Sequence, residues 1–259
     1  MNEKKDFYDS MGFDRGQLMT LTDAAANMMY EHSKKMLGSM IKYKELMMMY
    51  TCAMKEIKTK FEVLDTDFKV RFSRNPISSI STRIKSTASI TEKMHRLGVP
   101  FSVDSIVENV HDVAGIRVIC SYIDDIYLLA DALLKQEDIK LIARKDYIAN
   151  PKPNGYRSLH LIVTVPVFFM DEKRDMKVEV QIRTIAMDFW ASLEHQLKYK
   201  QEIENQQDIV MQLKACADVI AATDERMLGI REQIEQMQDT PTEEDIMLEK
   251  LSKFDININ

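Results

Sequence analysis

The chain has 259 residues, 45% of them apolar and 29% charged, with a formal net charge of −6; this size and composition suit one globular domain with extensions. The acidic balance speaks against sequence-blind binding to nucleic acid or an anionic membrane, so any polyanion site has to be a local basic patch. Three cysteines, Cys52, Cys120 and Cys216, lack metal-ligand spacing, and no apolar run reaches the roughly 20 residues of a membrane span. The thiols are expected to be reduced and mostly in the core, and the start MNEKKDFYDS lacks the apolar segment of a secretory signal, so the expected compartment is the cytoplasm.

Residues 1–16 show no clear period and are expected to form a flexible arm. Apolar residues then recur at helical spacing, first at Leu18, Leu21, Ala25, Met28, Met36 and Met40, then at Tyr50, Met54, Ile57, Phe61, Leu64 and Phe68. This predicts N-terminal helices over 17–70, used for core packing or subunit contact. Asn75-Pro76 breaks the helix. Beyond it a Ser/Thr-rich segment carries Arg83, Lys85, Lys93 and Arg96, the inventory of a phosphate cradle. Cations neutralise phosphate charge, and hydroxyl and backbone N–H groups near Ser86 to Ser89 can bind its oxygens at a helix start. Taken alone, the same residues also describe a solvated basic helix face.

Ser102 is a candidate N-cap for a short helix over 102–109. In HDVAGIRVIC, the alternation of Ile116, Val118 and Cys120 with Arg117 predicts a strand, with Asp112 just before it. An acid at a strand start suits a metal. His111-Asp112 also invites a metal-dependent phosphohydrolase of the HD type, but His32, His95, His111, His160 and His195 form no matching set of ligands. A helix over Ile123 to Leu134 and an extended segment over Asp138 to Ile148 complete a strand–helix–strand alternation.

The stretch DYIANPKPNGYRSLHLIVTVPV joins a turn to a strand whose Leu159, Leu161, Val163, Val165 and Val167 share one face. Lys152, Asn154, Tyr156, Arg157, Ser158 and His160 crowd its mouth, an inventory for gripping a nucleotide, although such a stretch by itself also describes an ordinary surface loop. After a charged turn, MKVEVQIRT sends Met176, Val178, Val180 and Ile182 one way and Lys177, Glu179, Gln181 and Arg183 the other, which predicts a hairpin. Glu179 there suits a metal ligand or general base. Thr184 to Lys200 reads as a helix with Trp190 as core anchor and Glu194 at pairing distance from Lys198, and Ile209 to Met237 as a long helix before an acidic tail over 240–259.

Two acids on separate strands, a basic segment before them and a Lys/Asn/Tyr/His loop between them describe phosphoryl chemistry. Brought together, Asp112 and Glu179 would hold Mg²⁺. RIKS with its Ser/Thr-rich sequel, HDVAGIRVIC, DYIANPKPNGYRSLH and VEVQIRTIAMDFWASLEH, in this order, resemble the synthetase domain of the RelA/SpoT family over about residues 71–200. Within it the chain is similar to the stand-alone small alarmone synthetases of RelQ type, though with longer ends. The resemblance implies an α/β (α+β) fold: a mixed β-sheet flanked by helices, nucleotidyltransferase-like, with helical N- and C-terminal extensions, the second over 201–239. It implies transfer of pyrophosphate from ATP to the 3′-hydroxyl of GTP or GDP, giving pppGpp or ppGpp.

Carried over by position, the resemblance makes Asp112 a Mg²⁺ ligand and Glu179 the second acid, binding metal or activating the acceptor hydroxyl. Arg83 and Arg117 would sandwich adenine, and Lys85, Ser89, Lys93 and Arg96 would contact ATP phosphates. Tyr156 would stack on guanine, Lys152 and His160 would hold acceptor phosphates, and Asn154 and Ser158 would lie along the same pocket. Gln181, Arg183 and Glu194 would be supporting or guanine-side residues. The resemblance also implies a homotetramer built through Tyr50 to Phe68 and Ile209 to Met237, and raises allosteric pppGpp near residues 71–80. The alternative is a catalytically inactive nucleotide-sensing or RNA-binding module on the same fold; the presence of both acids disfavours it, and the acidic total lends RNA binding no support.

Overall fold

The computed structural model describes residues 15–72, 74–198, 206–237 and Met247. Of the arm expected over residues 1–16, residues 1–14 lie outside the described residues, as does the acidic tail, Met247 apart, while Arg15 and Gly16 already belong to the first helix. In chain order the elements are α1 (Arg15–Phe72), β1 (Ile77–Ile84), α2 (Thr87–Leu97), α3 (Val103–Asn109), β2 (Ala114–Cys120), α4 (Ile123–Leu134), β3 (Lys140–Asp146), β4 (Leu159–Phe168), β5 (Lys173–Thr184), α5 (Ile185–Lys198) and α6 (Gln206–Met237). The strands form one mixed sheet in the order β1-β2-β5-β4-β3. β2 and β5 run parallel, and the other neighbours are antiparallel.

The alternation read in β4 and β5 is realised. Leu159, Leu161, Val163 and Val165 and, opposite them, Met176, Val178, Val180 and Ile182 are buried on one sheet face, while His160, Ile162, Glu179 and Gln181 are only half-buried on the other. The buried face is covered by α1, whose Tyr50, Ala53, Ile57 and Phe61 are 0–1% exposed. Side chains with period two on a strand and three-to-four on a helix meet along one seam, the arrangement that removes most apolar area from water. A sheet with one face sealed by a helix leaves the other for chemistry.

Three features depart from the expected elements. The two apolar series before residue 70 belong to one helix, because residues 17–72 contain no proline and a single glycine, Gly38, so nothing breaks it. Its 58 residues make it about 87 Å long. The first half projects past the sheet edge: Met28, Met29, Met36, Leu37, Met40 and Ile41 are all more than half exposed. The series from Tyr50 to Phe68, expected to serve core packing or subunit contact, packs on the protein's own sheet. The Ser/Thr-rich segment after Pro76 is partly strand: Ile77, Ile80, Thr82 and Ile84 bring β-branched residues that pair with β2, and the helix begins only after Ser86. Ser86 Oγ accepts from the Ser89 N–H at 3.2 Å, as the helix-start reading required, and Ser102 caps α3 in the same way at 3.1 Å. Finally, of Leu213, Cys216, Ala217, Ile220, Met227 and Ile234, the described apolar series on α6, only Ala217 is buried, and Cys216 is exposed, so that free thiol is not a core one.

Candidate active site on the open face of the sheet

Residues paired across a sheet share a face. Arg83 pairs with Gly115 and Gly115 with Glu179, Ser81 pairs with Arg117 and Arg117 with Gln181, and Gln181 pairs with His160, itself opposite Lys145. Register alone therefore lays Arg83, Arg117, Glu179, Gln181 and His160 in a band across the open face. Arg83, Gly115, Arg117, Glu179 and Gln181 line a shallow cleft of about 130 Å³ between β1, β2 and β5.

At one end of the band Asp112, just before β2, accepts from Lys93 Nζ through Oδ1 at 2.7 Å and from Lys85 Nζ through Oδ2 at 3.0 Å. Burial alone would push the Asp112 carboxyl up, but these two ammonium groups outweigh it and hold it below the usual carboxylate range. Lys93 shares a face of α2 with Ser89 and, one turn further out, the exposed Arg96. Arg71 and Arg74, within or beside the segment raised for allosteric pppGpp, are engaged elsewhere, Arg71 with Asp67 and Arg74 with Asp125.

Glu179 lies mid-band. Burial raises its carboxyl and so does the neighbouring Asp112, yet the hydrogen bond and charge of His160, with the Gln181 amide at 3.0 Å, bring it net below its ordinary value. His160 Nδ1 is 3.3 Å from Glu179 Oε1, and His160 Nε2 is 2.8 Å from Tyr156 Oη. Arg183 Nη2 donates to that same Oη at 2.5 Å. Arg183 can only donate to that oxygen, which keeps its own proton and a second lone pair for Nε2, while the other ring nitrogen of His160 faces the Glu179 carboxylate. A chain of hydrogen bonds links Arg183, Tyr156, His160 and the central acid.

The loop before β4 completes the other end. Lys152 Nζ lies 4.6 Å from the Tyr156 ring centroid and 4.7 Å from that of Tyr147. Asn154 Nδ2 donates to Glu194 Oε1 at 3.0 Å, and Glu194 is largely buried. Glu194 thus turns inward to the loop, while the Lys198 side chain expected to pair with it lies outside the described residues. Two assignments change in kind. Ser158 is fully buried, donating to the Ile182 carbonyl and accepting from Arg183 Nε at 3.3 Å, and so lies beneath the pocket. Arg183 is 4% exposed and serves as a hub that also reaches Gln181 and Asp188.

Sequence reasoning missed Asp188 and Tyr147. Asp188 Oδ1 lies 3.3 Å from Arg117 and 3.1 Å from Arg183, joining the two ends of the band. Tyr147 sets its ring 5.3 Å from His160 and 5.9 Å from Tyr156. Asp188 was visible only as an acid in a helix's first turn, where acids are common for dipole reasons, and Tyr147 as an aromatic near a turn.

A mixed sheet with paired carboxylates, flanking cations and an aromatic loop on its one open face defines a nucleotide-handling phosphotransfer class. Residues 82–204 match the region found in RelA / SpoT proteins. The GTP pyrophosphokinase YwaC of Bacillus subtilis (strain 168) is 41% identical over 193 residues, 74% of this chain and 92% of its own length. The GTP pyrophosphokinase YjbM of the same organism is 34% identical over 189 residues, 73% and 88% of the two chains. The crystal structure of small alarmone synthetase 1 from Bacillus subtilis bound to its product pppGpp superposes with a TM-score of 0.68 at 33% identity, over 74% of this chain and 98% of that one. The chain belongs to the RelA/SpoT family, and its mixed sheet flanked by helices is the fold of the small alarmone synthetases.

Proposed function

We propose that the protein is a (p)ppGpp synthetase, a GTP pyrophosphokinase that moves the β,γ-pyrophosphoryl group of ATP to the 3′-hydroxyl of GTP or GDP and releases AMP. The observation that carries this reading is the pair of ionised acids, Asp112 and Glu179, on one sheet face between an arginine pair at one end and the Tyr156 loop at the other. The sensing or RNA-binding alternative keeps no feature that favours it.

In this reading Arg83 and Arg117, on adjacent strands of one face, clasp adenine between guanidinium planes. Lys85, Lys93, Ser89 and the α2 N-terminus hold the donor phosphates, with Arg96 further out. Guanine stacks on Tyr156 and displaces the Lys152 ammonium from that ring towards the acceptor's 5′-phosphates. Glu179 takes the proton of the 3′-hydroxyl as its oxygen attacks the β-phosphorus, the α–β bridging bond breaks, and the electron pair leaves with AMP. His160, itself bonded to Tyr156, holds the Glu179 carboxylate in place.

Asp112 and Glu179 fit a divalent cation. They sense each other's charge, and both Asp112 oxygens already face cations. Among the described residues no group of three or more acids, histidines or cysteines is placed to hold a metal, and two carboxylates suit Mg²⁺, an ion commonly held by one or two carboxylates together with substrate phosphates and water. When bound, Mg²⁺ neutralises triphosphate charge and supports in-line displacement.

We further propose a homotetramer. Its support is the uncovered apolar surface on Met28 to Ile41 of α1 and on Met211, Met227, Ile230 and Ile234 of α6. A cytoplasmic location agrees with three free thiols and with no described helix long and apolar enough to cross a membrane. The organisation we propose is a synthetase core over 71–200, N-terminal helical residues 17–70, and a C-terminal helix within 201–239. The test is incubation with γ-labelled ATP, GDP or GTP, and Mg²⁺: label in a guanosine tetra- or pentaphosphate with AMP formed is the expected result. A folded, nucleotide-binding protein that moves no label sinks the proposal.

A further inference from the structure

The acceptor loop has a back as well as a face, and its back is closed by a helix beyond the family region, which ends at residue 204. Gly155 has φ +89°, and a Cβ placed there would lie 2.4 Å from the Ala217 Cβ and 3.2 Å from the Lys214 Cα. The loop backbone therefore rests directly on α6, at an approach that only a glycine against a small residue permits. Tyr156 then joins Trp190, Leu213, Ala217 and Ile220 in a small apolar cluster separate from the main core. Trp190 Nε1 donates to the Leu213 carbonyl at 2.9 Å and stands edge-on to the Tyr156 ring at 6.5 Å. Next to them Arg157 comes within 3.9 Å of Asp218.

α6 is itself pinned to the frame at two other places. Thr184, the last residue of β5, donates through Oγ1 to the buried Asp224. Arg231 donates to both Asp124 oxygens, at 3.1 and 2.7 Å, and lies 4.7 Å over the Tyr122 ring at the start of α4. With the helix anchored at two points beyond the contact, on its C-terminal side, the loop takes its shape from the helix.

We propose that α6 is a positioning element for the acceptor nucleotide, with Ala217 and Leu213 holding the 152–158 loop so that Lys152, Asn154 and Tyr156 present themselves to the site. This rests on the synthetase reading for the identity of the acceptor. Ala217 touches no substrate and acts through Gly155 and Tyr156. The donor residues Arg83, Lys85, Lys93 and Arg117 are held by strand register and by Asp112 and Asp188, so the effect falls on one substrate.

The experiment replaces Ala217 by Leu in the full chain, with Val219→Leu, on the exposed side of α6, as the control for added volume on the helix. GDP and ATP KM values are measured separately, together with the emission of Trp190, the chain's single tryptophan, during GDP titration. Ala217→Leu is expected to raise the GDP KM about tenfold, to leave the ATP KM within about twofold, and to shift the Trp190 titration to higher GDP by the same factor. Val219→Leu is expected to change none of these. Equal increases in both KM values, or an unchanged GDP KM and Trp190 titration, overturn the proposal. If Ala217→Leu fails to fold, Ala217→Val, which adds less volume, has to show the same one-sided change at smaller size. A wild type that binds GDP but transfers no pyrophosphate refutes the synthetase reading alone, and the Trp190 titrations still decide the role of α6.

Discussion

The donor and acceptor halves of this site are built by different means. On the donor side, Arg83, Lys85, Lys93, Asp112 and Arg117 come from β1, α2, β2 and the turns beside them, all within residues 83–117, and are placed by strand register and two short ion pairs. On the acceptor side, Lys152, Asn154 and Tyr156 sit on a loop whose shape depends on Glu194 of α5 and on Ala217 of α6, the latter more than 60 residues away. A neighbouring strand pair fixes its side chains as soon as it forms, whereas a loop without ladder hydrogen bonds has to be held by distant packing. The donor half is a local product of the sequence and the acceptor half a product of the whole fold.

The largest expected effect tests the group common to both halves. Glu179→Gln keeps shape and a hydrogen-bonding group but removes the base, and is expected to lower kcat by about 10²- to 10⁴-fold with both KM values nearly unchanged. A loss confined to KM would remove Glu179 from proton transfer. The separation of the halves is sharpened by Arg83→Ala and Tyr156→Ala. Loss of one stacking partner is expected to raise the KM of its own nucleotide by about five- to thirtyfold, ATP for Arg83 and GDP for Tyr156, and to leave the other nearly unchanged. Steady-state kinetics with each nucleotide varied in turn reads the difference, and crossed effects of equal size would abolish the distinction.

What could be read from the sequence follows the same division. Glu179 and Arg117 were legible because period-two alternation states which strand residues share the polar face, Asp112 because an acid stands just before a strand, and the elements from α3 to β5 emerged close to their expected bounds. β1 was not, since a Ser/Thr-rich stretch with scattered isoleucines becomes a strand only when β2 is there to pair with it. Ser158 read as a pocket residue because the alternation, continued back from His160, puts it on the polar face; the strand begins only at Leu159, and Ser158 points down onto Ile182 and Arg183. The docking of Gly155 on Ala217 left no trace in either segment, since a glycine in a turn and an alanine in a helix are ordinary where they stand.

Asp188 is the residue through which the halves would fail to be independent. Its one oxygen serves Arg117 on the donor side and Arg183, which holds Tyr156, on the acceptor side. Asp188→Asn keeps the volume and removes the charge, leaving two guanidinium groups that repel each other. Both KM values are expected to rise together, by about two- to fivefold, the one substitution outside the reacting groups to act on both. A change in only one KM would assign Asp188 to that half.

The smallest effect on catalysis, and the clearest contrast in electrostatics, lies at the start of α4, near Arg231 of α6. Asp112 and Glu179 are held below their ordinary values, so the stability they contribute is present at neutral pH and lost as pH falls through those lowered values. Asp125 behaves oppositely. It is fully buried beside Arg74, with Asp124 and Arg231 also near, and burial pushes its carboxyl up to about 6 although the Arg74 charge pulls it down. An unfolded chain loses that proton near 3.8, so between there and about 6 the folded protein keeps a proton that the unfolded one has shed. This contribution to stability is complete below the lower value and declines as pH rises through the higher one. Asp125→Asn cannot titrate, so thermal unfolding followed from pH 4 to 7 should lose this decline, an amount on the order of 2 kcal/mol across the window. The neutral amide also weakens the hold on Arg74, which still has Asp124 at 3.8 Å, so the absolute melting temperature can fall while the slope flattens. The slope is the decisive quantity: if wild type and Asp125→Asn keep parallel curves across that window, Arg74 has won over burial, and Asp125 is ionised like the acids of the site.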